Sequence, residues 1–491
     1  MTHVPPPVPG DAGPRLTADE LVRATGGVLL ARSERPVRGA AVDSRLVGPG
    51  NLFVALPGER TDGHAHLAEA VAAGASALLV TRPVADPAAL GDVTIVRVAD
   101  GLLALGAVAT AWRSRFTPLV VGITGSIAKT STKDAVAAVL DRCLATLRSE
   151  GNQNNEIGLP LTVLGVGPEH EALVLEMGMY VGGEIADLAR IGRPSIGVVT
   201  SVHGVHLSRI GSLDAIEAAK AELVEALPSD GTAILNADDP RVRRMAARTA
   251  ARVRTYGFAD DADVRATEVV SLGLDGMRFI LELDGRRLPA RTPLLGRLAV
   301  HNALAAATVG AAAGLDAGAI VDGIAAVSPS PHRGAVLRAG GVTIVDDAYN
   351  ASPASVRAAL ELLAGLPGRR VAVLGEMLEL GDAHDDGHRD AGTAAAAVVD
   401  RLVVVGRGAR GIGDGAIAAG MAPERVVVVD DRDAALDALL PRLRDGDVVL
   451  VKASRGAAFE ALVDALATAL DTGRPEASPD RAAPAAPGAA R

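Results

Sequence analysis

The chain has 491 residues and a net charge of −10, too long for a single core and enough for about three domains. No basic run exceeds a few residues, which excludes the concentrated cationic surface of a general nucleic-acid binder. Cys143 is the only cysteine, so an intrachain disulfide and a cysteine-based zinc site are excluded as well.

Only 2% of the residues are aromatic although 49% are hydrophobic, so the cores are expected to be built from Ala, Val, Leu and Ile. The opening Met1-Thr-His-Val-Pro-Pro-Pro lacks a basic-plus-apolar leader, and no uncharged apolar stretch reaches membrane-spanning length. A cytoplasmic chain without a membrane span is the expectation.

In chain order, residues 1–15 and 471–491 are rich in Pro, Ala and Gly and read as disordered tails. Residues 16–116 alternate short apolar runs (52–56, 77–80, 93–96) with helical stretches, which predicts a small α/β domain. The segment 117–332 opens with a strand, Leu119-Val-Val-Gly-Ile-Thr, then a glycine turn, then Val136, Val139, Leu140, Cys143 and Leu144 at helical spacing. Further strands are expected at 172–175, 196–199 and 232–235, giving a parallel sheet with helices on both faces. Within 264–290 two Asp-Gly pairs, Asp275-Gly276 and Asp284-Gly285, punctuate alternating runs and predict antiparallel hairpins. Residues 333–470 carry apolar runs at 342–345, 371–374, 402–405, 426–429 and 448–451, which predicts a second doubly wound, Rossmann-like sheet. The fold class is therefore α/β in three domains.

Of 49 basic residues only Lys129, Lys133, Lys220 and Lys452 are lysines; the other 45 are arginines. Where arginine serves as the general cation, a retained lysine points to chemistry that needs a primary amine or a compact ammonium. Lys133 reads equally as an accidental survivor. Gly122-Ile-Thr-Gly-Ser-Ile-Ala-Lys-Thr130 joins a strand to a helix, the setting in which backbone N–H groups and a helix N-terminus bind phosphate. Lys129 would then face the terminal phosphates and the Thr130 hydroxyl a magnesium ion. The general signature G-x-x-x-x-G-K-[ST] is not met, because Ile123 and Ala128 stand at its glycine positions.

The loop resembles the G-x-x-G-x-x-G-K-T variant of the Mur ligase family, departing only at Ala128. Other segments are similar to that family in the same order. They include Asp43-Ser-Arg45, Asp62-Gly-His64, Gly151-Asn-Gln-Asn-Asn-Glu-Ile-Gly158, Glu176-Met-Gly178 and Ala218-Ala-Lys220. Asn236-Ala-Asp-Asp-Pro240, His301-Asn-Ala-Leu304, Asp346-Asp-Ala-Tyr-Asn350, Leu374-Gly-Glu-Met-Leu-Glu-Leu-Gly381 and Lys452-Ala-Ser-Arg-Gly456 follow. The Asn-Asn-Glu-Ile-Gly and Asp-Asp-Ala-Tyr-Asn segments resemble one branch. It joins D-alanyl-D-alanine to UDP-N-acetylmuramoyl-tripeptide. The Asp-Asn-Pro-Arg motif of the branch that adds the third amino acid is absent.

The resemblance implies an ATP-dependent, ADP-forming ligase of cell-wall precursor synthesis that works through an acyl phosphate, as a monomer. It implies a UDP-sugar-binding first domain, an ATP-binding central domain and a C-terminal domain for the incoming dipeptide. Two Mg²⁺ sites are implied, held by Thr130, Glu176, His206 and a carbamate formed from Lys220 and CO₂. Glu176 reads otherwise as a helix-capping carboxylate, and His203 competes with His206; the spacing from His206 to Lys220 matches the family. By the same resemblance Gly122, Gly125, Ser126, Ala128, Lys129, Thr130 and Asn302 bind ATP, joined by Arg333 and Asp347, which would couple nucleotide binding to domain closure. Arg333 reads equally as a boundary salt-bridge residue. Candidates for the UDP-sugar peptide are Ser44, Arg45, Asp62, His64, Asn154 and Asn155; Asp-Gly-His reads also as a plain turn, and the two asparagines are not separated. Tyr349, Asn350 and the loop after Leu374 are candidates for the dipeptide. Lys452 and Arg455 are either ligands for anionic groups or surface cations.

A carbamate forms only on an unprotonated amine, so burial or nearby cations should depress Lys220, a route closed to a guanidinium. Ala128 should weaken ATP binding, through strain if its φ is positive and through crowding of a phosphate if its φ is helical. The alternatives are a related amide ligase with another carboxylate substrate and a non-catalytic nucleotide-binding homologue.

Overall fold

The computed structural model describes residues 15–58, 61–204 and 207–472. The expected tails, 1–15 and 471–491, lie outside it apart from Arg15, Asp471 and Thr472. Among the described residues the strands form three sheets. The first runs Val28–Ala31, Thr94–Arg97, Ala77–Val80, Leu52–Val54, Ala40–Ala41 in space. It is parallel except at its Val28–Ala31 edge.

The second sheet has nine strands. Thr146–Arg148, Ala172–Glu176, Leu119–Thr124, Ile196–Val199, Thr232–Asn236 and Arg252–Gly257 are mutually parallel neighbours in that order. The central ones are covered on both faces, which is why Ala172–Glu176 and Ile196–Val199 are buried at every position and read as continuous apolar runs. Val264–Ser271, Met277–Leu283 and Arg286–Thr292 extend the sheet as an antiparallel meander. In Met277–Leu283 the buried side chains are Met277, Phe279, Leu281 and Leu283, the period of two that a half-covered strand requires. Asp284 and Gly285 both take positive φ (47° and 75°), the tight hairpin turn that the Asp-Gly pair favours.

Three domains were expected, and there are three sheets; the chain divides into two compact units, with the boundary between Ser330 and Pro331. The first two sheets share one core running from Leu52, Val54 and Leu79 to Leu173 and Leu175. The helix Gly101–Arg113 joins them. Its Trp112 Nε1 donates to the Val166 carbonyl at 2.9 Å and its Arg113 Nε to the Gly192 carbonyl at 3.1 Å. An interface closed by the chain's single tryptophan is part of the core.

The second unit holds the third sheet, in the order Ala335–Ala339, Val342–Asp346, Val448–Lys452, Arg370–Gly375, Arg401–Val405, Val426–Val429. All neighbours are parallel except the antiparallel first pair. This is the doubly wound sheet expected for 333–470. The edge strand Ala335–Ala339, along with Thr146–Arg148 and Arg252–Gly257, was not anticipated because each is short or half exposed and carries no apolar run. No helix among the described residues is long and apolar enough to cross a membrane.

Candidate active site

Thr124, Glu176, Val199 and Asn236 end neighbouring parallel strands of the nine-stranded sheet, so the segments that follow them line one crevice, the usual ligand position in such sheets. The phosphate loop occupies this edge. Gly122 lies below it, inside the strand: a Cβ there would come within 2.9 Å of Leu223 Cδ1, so that glycine serves helix–sheet packing. Gly125 belongs to the loop proper. Its φ is 149°, and a Cβ would fall 1.9 Å from Thr200 Oγ1.

The segment 200–203 forms the wall behind the loop. Ser126 N–H donates to the Ser201 carbonyl at 2.8 Å, Ser126 Oγ donates to the His203 carbonyl at 3.0 Å, and Thr200 Oγ1 donates to the Ile127 carbonyl at 2.7 Å. Asn236 Nδ2 in turn donates to the Thr200 carbonyl at 2.8 Å, and Asp239 Oδ2 accepts from Val202 N–H at 2.7 Å. The Asn-Ala-Asp-Asp segment therefore braces the wall that braces the loop.

Ala128 settles in the left-handed region, φ 65° and ψ 3°, immediately before the helix Lys129–Leu140. Of the two conformations considered for it, this is the strained one, costing about 1–2 kcal/mol for a residue with a Cβ. Lys129 Nζ donates to the Gly125 carbonyl at 2.8 Å, folding back over the loop. Asn302, from the helix Gly296–Ala312, is buried and accepts from Thr132 Oγ1 at 3.0 Å, tying the candidate adenine residue to the phosphate-loop helix.

The candidate metal side is buried. Glu176 ends its strand and is 1% exposed; its Oε1 accepts from Asn154 Nδ2 at 2.7 Å, so its partner is an amide and not a helix end. Glu176 Oε2 and Thr124 Oγ1, on adjacent strands, are buried without a hydrogen-bond partner among the described residues. A buried carboxylate oxygen with no donor is costly unless a cation or donor meets it, so the donor set fits a hard divalent cation. Thr130 is buried at the start of the adjoining helix. Lys220, on the helix Leu213–Glu225, is 2% exposed; burial, aided by the nearby Lys129 charge, holds its amine well below the ordinary lysine range. That is the condition a carbamate requires. His206 lies outside the described residues. The competing His203 has its backbone bonded to Ser126. Among the described residues no group of three or more His, Cys, Asp or Glu is placed to hold a metal.

The structure separates the two asparagines. Asn155 Oδ1 accepts from Gly158 N–H at 2.9 Å and Ile157 N–H at 3.3 Å, an end cap for the helix Gly158–Leu164, whereas Asn154 reaches Glu176. Sequence reasoning missed Lys133. It is 2% exposed, and its Nζ donates to the Ser149 carbonyl at 2.6 Å, while Ser149 Oγ accepts from Glu176 N–H at 3.3 Å. It supports the strand end that carries Glu176. The persistence of lysine was the only signal.

In the first sheet's region Arg45 is exposed and paired with its own neighbour Asp43 at 2.6 Å, and Ser44 Oγ donates to Glu69 Oε2 at 3.3 Å. His64 is clamped between Asp62, Nδ1 to Oδ1 at 2.7 Å, and Thr81, whose N–H donates to His64 Nε2 at 3.0 Å. Asp-Gly-His is thus a turn closed by its own side chains.

In the second unit Lys452 is 3% exposed and corrects the surface-cation alternative. Its Nζ donates to Asp347 Oδ2 at 2.5 Å and to the Asn350 carbonyl at 2.9 Å. Asp346 is pushed up by burial and accepts from His332 Nδ1 at 2.7 Å. Arg333 lies over the Tyr349 ring, 3.8 Å from its centre.

Three family models match successive parts of the chain: "Mur ligase family, catalytic domain" over residues 36–113, "Mur ligase middle domain" over 123–310 and "Mur ligase, glutamate ligase domain" over 332–455. The UDP-N-acetylmuramoyl-tripeptide--D-alanyl-D-alanine ligase of Mycobacterium tuberculosis is 41% identical, covering 92% of this chain and 97% of its own. The Escherichia coli protein of the same description is 37% identical, covering 86% and 92%. Among solved structures, a crystal structure of MurF from Acinetobacter baumannii superposes with a TM-score of 0.84 at 29% identity, covering 93% of this chain and 99% of that one. MurF from Thermotoga maritima in complex with ADP gives 0.77 at 28%, covering 88% and 98%. The chain belongs to the Mur ligase family.

Proposed function

We propose that this chain is an ATP-dependent, ADP-forming ligase that joins D-alanyl-D-alanine to UDP-N-acetylmuramoyl-tripeptide in cytoplasmic peptidoglycan precursor synthesis. The observation that carries the reading is the buried Glu176 oxygen without a hydrogen-bond partner among the described residues, in a chain whose phosphate loop is followed by a buried lysine with a depressed amine.

The tripeptide's terminal carboxylate oxygen attacks the γ-phosphorus, the bond from phosphorus to the bridging oxygen breaks, and ADP leaves. The unprotonated dipeptide amine then attacks the acyl carbon, the bond from that carbon to the phosphate oxygen breaks, and inorganic phosphate leaves as the nitrogen gives up one proton, leaving the new amide bond. Two anions must meet in the first step, so fixed positive charge is the central requirement. The Lys129 and Thr130 segment offers backbone N–H groups at a helix N-terminus, Ser126 braces the loop against its wall, and Lys129 supplies an ammonium for the terminal phosphates. Mg²⁺, held by Thr130, Glu176, His206 and carbamylated Lys220, would neutralise the charge that develops on the phosphoryl oxygens. The Lys220 amine adds to CO₂ and releases one proton, converting a would-be cation into an anionic ligand. Asn154 fixes the Glu176 carboxylate, and Asn302 marks the nucleotide side.

The division of labour follows the residues: 16–116 for the UDP-sugar, 117–332 for ATP, and 333–470 for the dipeptide, in a monomer. The test is ADP release by the purified chain. It should require ATP, UDP-N-acetylmuramoyl-tripeptide and D-alanyl-D-alanine together; equal turnover with a single amino acid in place of the dipeptide would assign the chain to another branch.

A further inference from the structure

Asp134 lies on the phosphate-loop helix Lys129–Leu140, one turn beyond Thr130, with its side chain 13% exposed. Its Oδ1 meets Lys133 Nζ at 3.3 Å and Arg148 Nε at 3.5 Å, and its Oδ2 accepts from the Ser330 hydroxyl. Ser330 is the last residue of the first compact unit, 196 residues further along the chain. The same Lys133 Nζ donates to the Ser149 carbonyl, and Ser149 Oγ accepts from Glu176 N–H. One carboxylate therefore joins the helix of Lys129 and Thr130, the strand end of Glu176 and the point at which the chain leaves the first unit. Charge compensation does not account for Ser330. Two cations already face Asp134, and the serine adds an oriented O–H bond to the second carboxylate oxygen.

The second unit takes hold of the chain almost at once. His332 Nδ1 lies 2.7 Å from Asp346 Oδ2, and the His332 carbonyl accepts from Tyr349 N–H at 3.0 Å. Arg333 follows, 3.8 Å from the centre of the Tyr349 ring, which Arg455 also meets at 4.8 Å. Only Pro331 stands between the Ser330 anchor in one unit and the His332 anchor in the other. Its ring fixes its own φ at about −65° and confines Ser330 to an extended ψ. The torsions left to turn are ψ of Pro331 and φ of His332, which sits at 60° in the left-handed region. A connection with so little slack transmits the orientation of what it is tied to, where a flexible linker would absorb it.

We propose that Asp134 is a positioning residue for phosphoryl transfer: through the Ser330 hydroxyl it fixes the direction in which residues 331–333 leave the first unit, with reference to the helix that binds the terminal phosphates. Nucleotide held at Lys129 and Thr130 orders that helix end, and the tie passes the order to the connection that leads to Arg333. This role rests on the ligase reading above. Asp134 and Ser330 touch neither nucleotide nor sugar peptide in it, so losing the tie should slow turnover and leave ground-state binding as it is.

The experiment measures ADP release by the full chain and, without turnover, amide hydrogen exchange over 332–334 with and without ADP. Ser330→Ala should lower kcat about three- to tenfold, the worth of one hydrogen bond, with the KM for ATP and for the sugar peptide unchanged. Ser330→Thr, which keeps the hydroxyl, should retain wild-type turnover. Asp134→Asn should lower kcat at least as far, and adding Ser330→Ala to it should cost nothing more, because the two act as one unit. ADP should slow exchange over 332–334 in the wild type and not in Ser330→Ala. Should Asp134→Asn not fold, the two Ser330 variants carry the comparison alone. Full turnover in Ser330→Ala, equal losses in the alanine and threonine variants, or slowing by ADP that survives the alanine would overturn the role. A wild-type chain that releases no ADP would instead remove the ligase reading, and exchange over 332–334 would still decide the tie.

Discussion

Asn154 and Glu176 share one hydrogen bond, Nδ2 to Oε1 at 2.7 Å, and it leaves the other carboxylate oxygen buried and without a partner among the described residues. The amide therefore sets the direction in which Glu176 offers its free lone pairs. Groups that orient a metal ligand in this way typically contribute a factor of about 10–100 in metal affinity.

Asn154→Ala should accordingly raise the Mg²⁺ concentration for half-maximal activity by about 10–100-fold, with a smaller effect on the KM for the sugar peptide. A Mg²⁺ titration of steady-state ADP release reads this directly. The reverse pattern, unchanged Mg²⁺ dependence and a raised sugar-peptide KM, would place Asn154 on the substrate.

Lys220→Arg should abolish activity, because a guanidinium stays protonated and forms no carbamate. In the wild type, burial depresses the amine, so over the range between its lowered value and the ordinary lysine value the unfolded chain binds more protons than the folded one. This group's contribution to stability thus rises with pH across that window and falls as acid protonates the buried amine. Activity should fall on the acid side in step and recover on adding bicarbonate. Isotope-labelled bicarbonate should give a carbamate carbon signal that Lys220→Arg lacks.

Ala128→Gly should lower the KM for ATP. The free loop with alanine at φ 65° is strained by about 1–2 kcal/mol, which favours conformers whose N–H groups do not converge on phosphate. Glycine removes that preference at a cost of about 0.5–1 kcal/mol in chain entropy, so unfolding in urea should shift little. An unchanged or raised KM would show that the loop accommodates the methyl group.

Lys133→Met keeps the apolar stem but leaves the buried Ser149 carbonyl without its donor. Urea denaturation should register a loss of about 1–3 kcal/mol. Activity should fall more than the KM for ATP rises, because Ser149 also accepts from the Glu176 N–H.

The phosphate loop, the strands at 119–124, 172–176, 196–199 and 232–236 and the hairpins beyond Val264 were legible because each is local. Period, turn residues and the strand–turn–helix order act within about a dozen residues. Lys220 was legible for a different reason: in a chain that uses arginine elsewhere, a lysine within a helical pattern is chemically conspicuous. Three readings left open in the sequence depended on distant partners. Asn154 and Asn155 are adjacent and chemically identical, and only the position of Glu176, 22 residues on from Asn154, separates them. Lys452 read equally as a ligand for anionic groups and as a surface cation until Asp347, 105 residues away, met it. His64 proved to be held by Asp62 and by a strand end at Thr81.

By itself, then, the sequence determined which residue types are available and in what local order: an amine at 129, an amine at 220, a carboxylate at the end of an apolar run and a turn that presents N–H groups. Tertiary structure decided which of these groups are desolvated and what each one faces. It put Lys220 and Glu176 out of water and Ala128 in a left-handed conformation, and it set two arginines on one tyrosine. The physical reason is that hydrogen-bonding types and φ preferences are properties of the residue. Burial, the strength of a charge and the direction of an unpaired oxygen are properties of what the rest of the chain brings beside it.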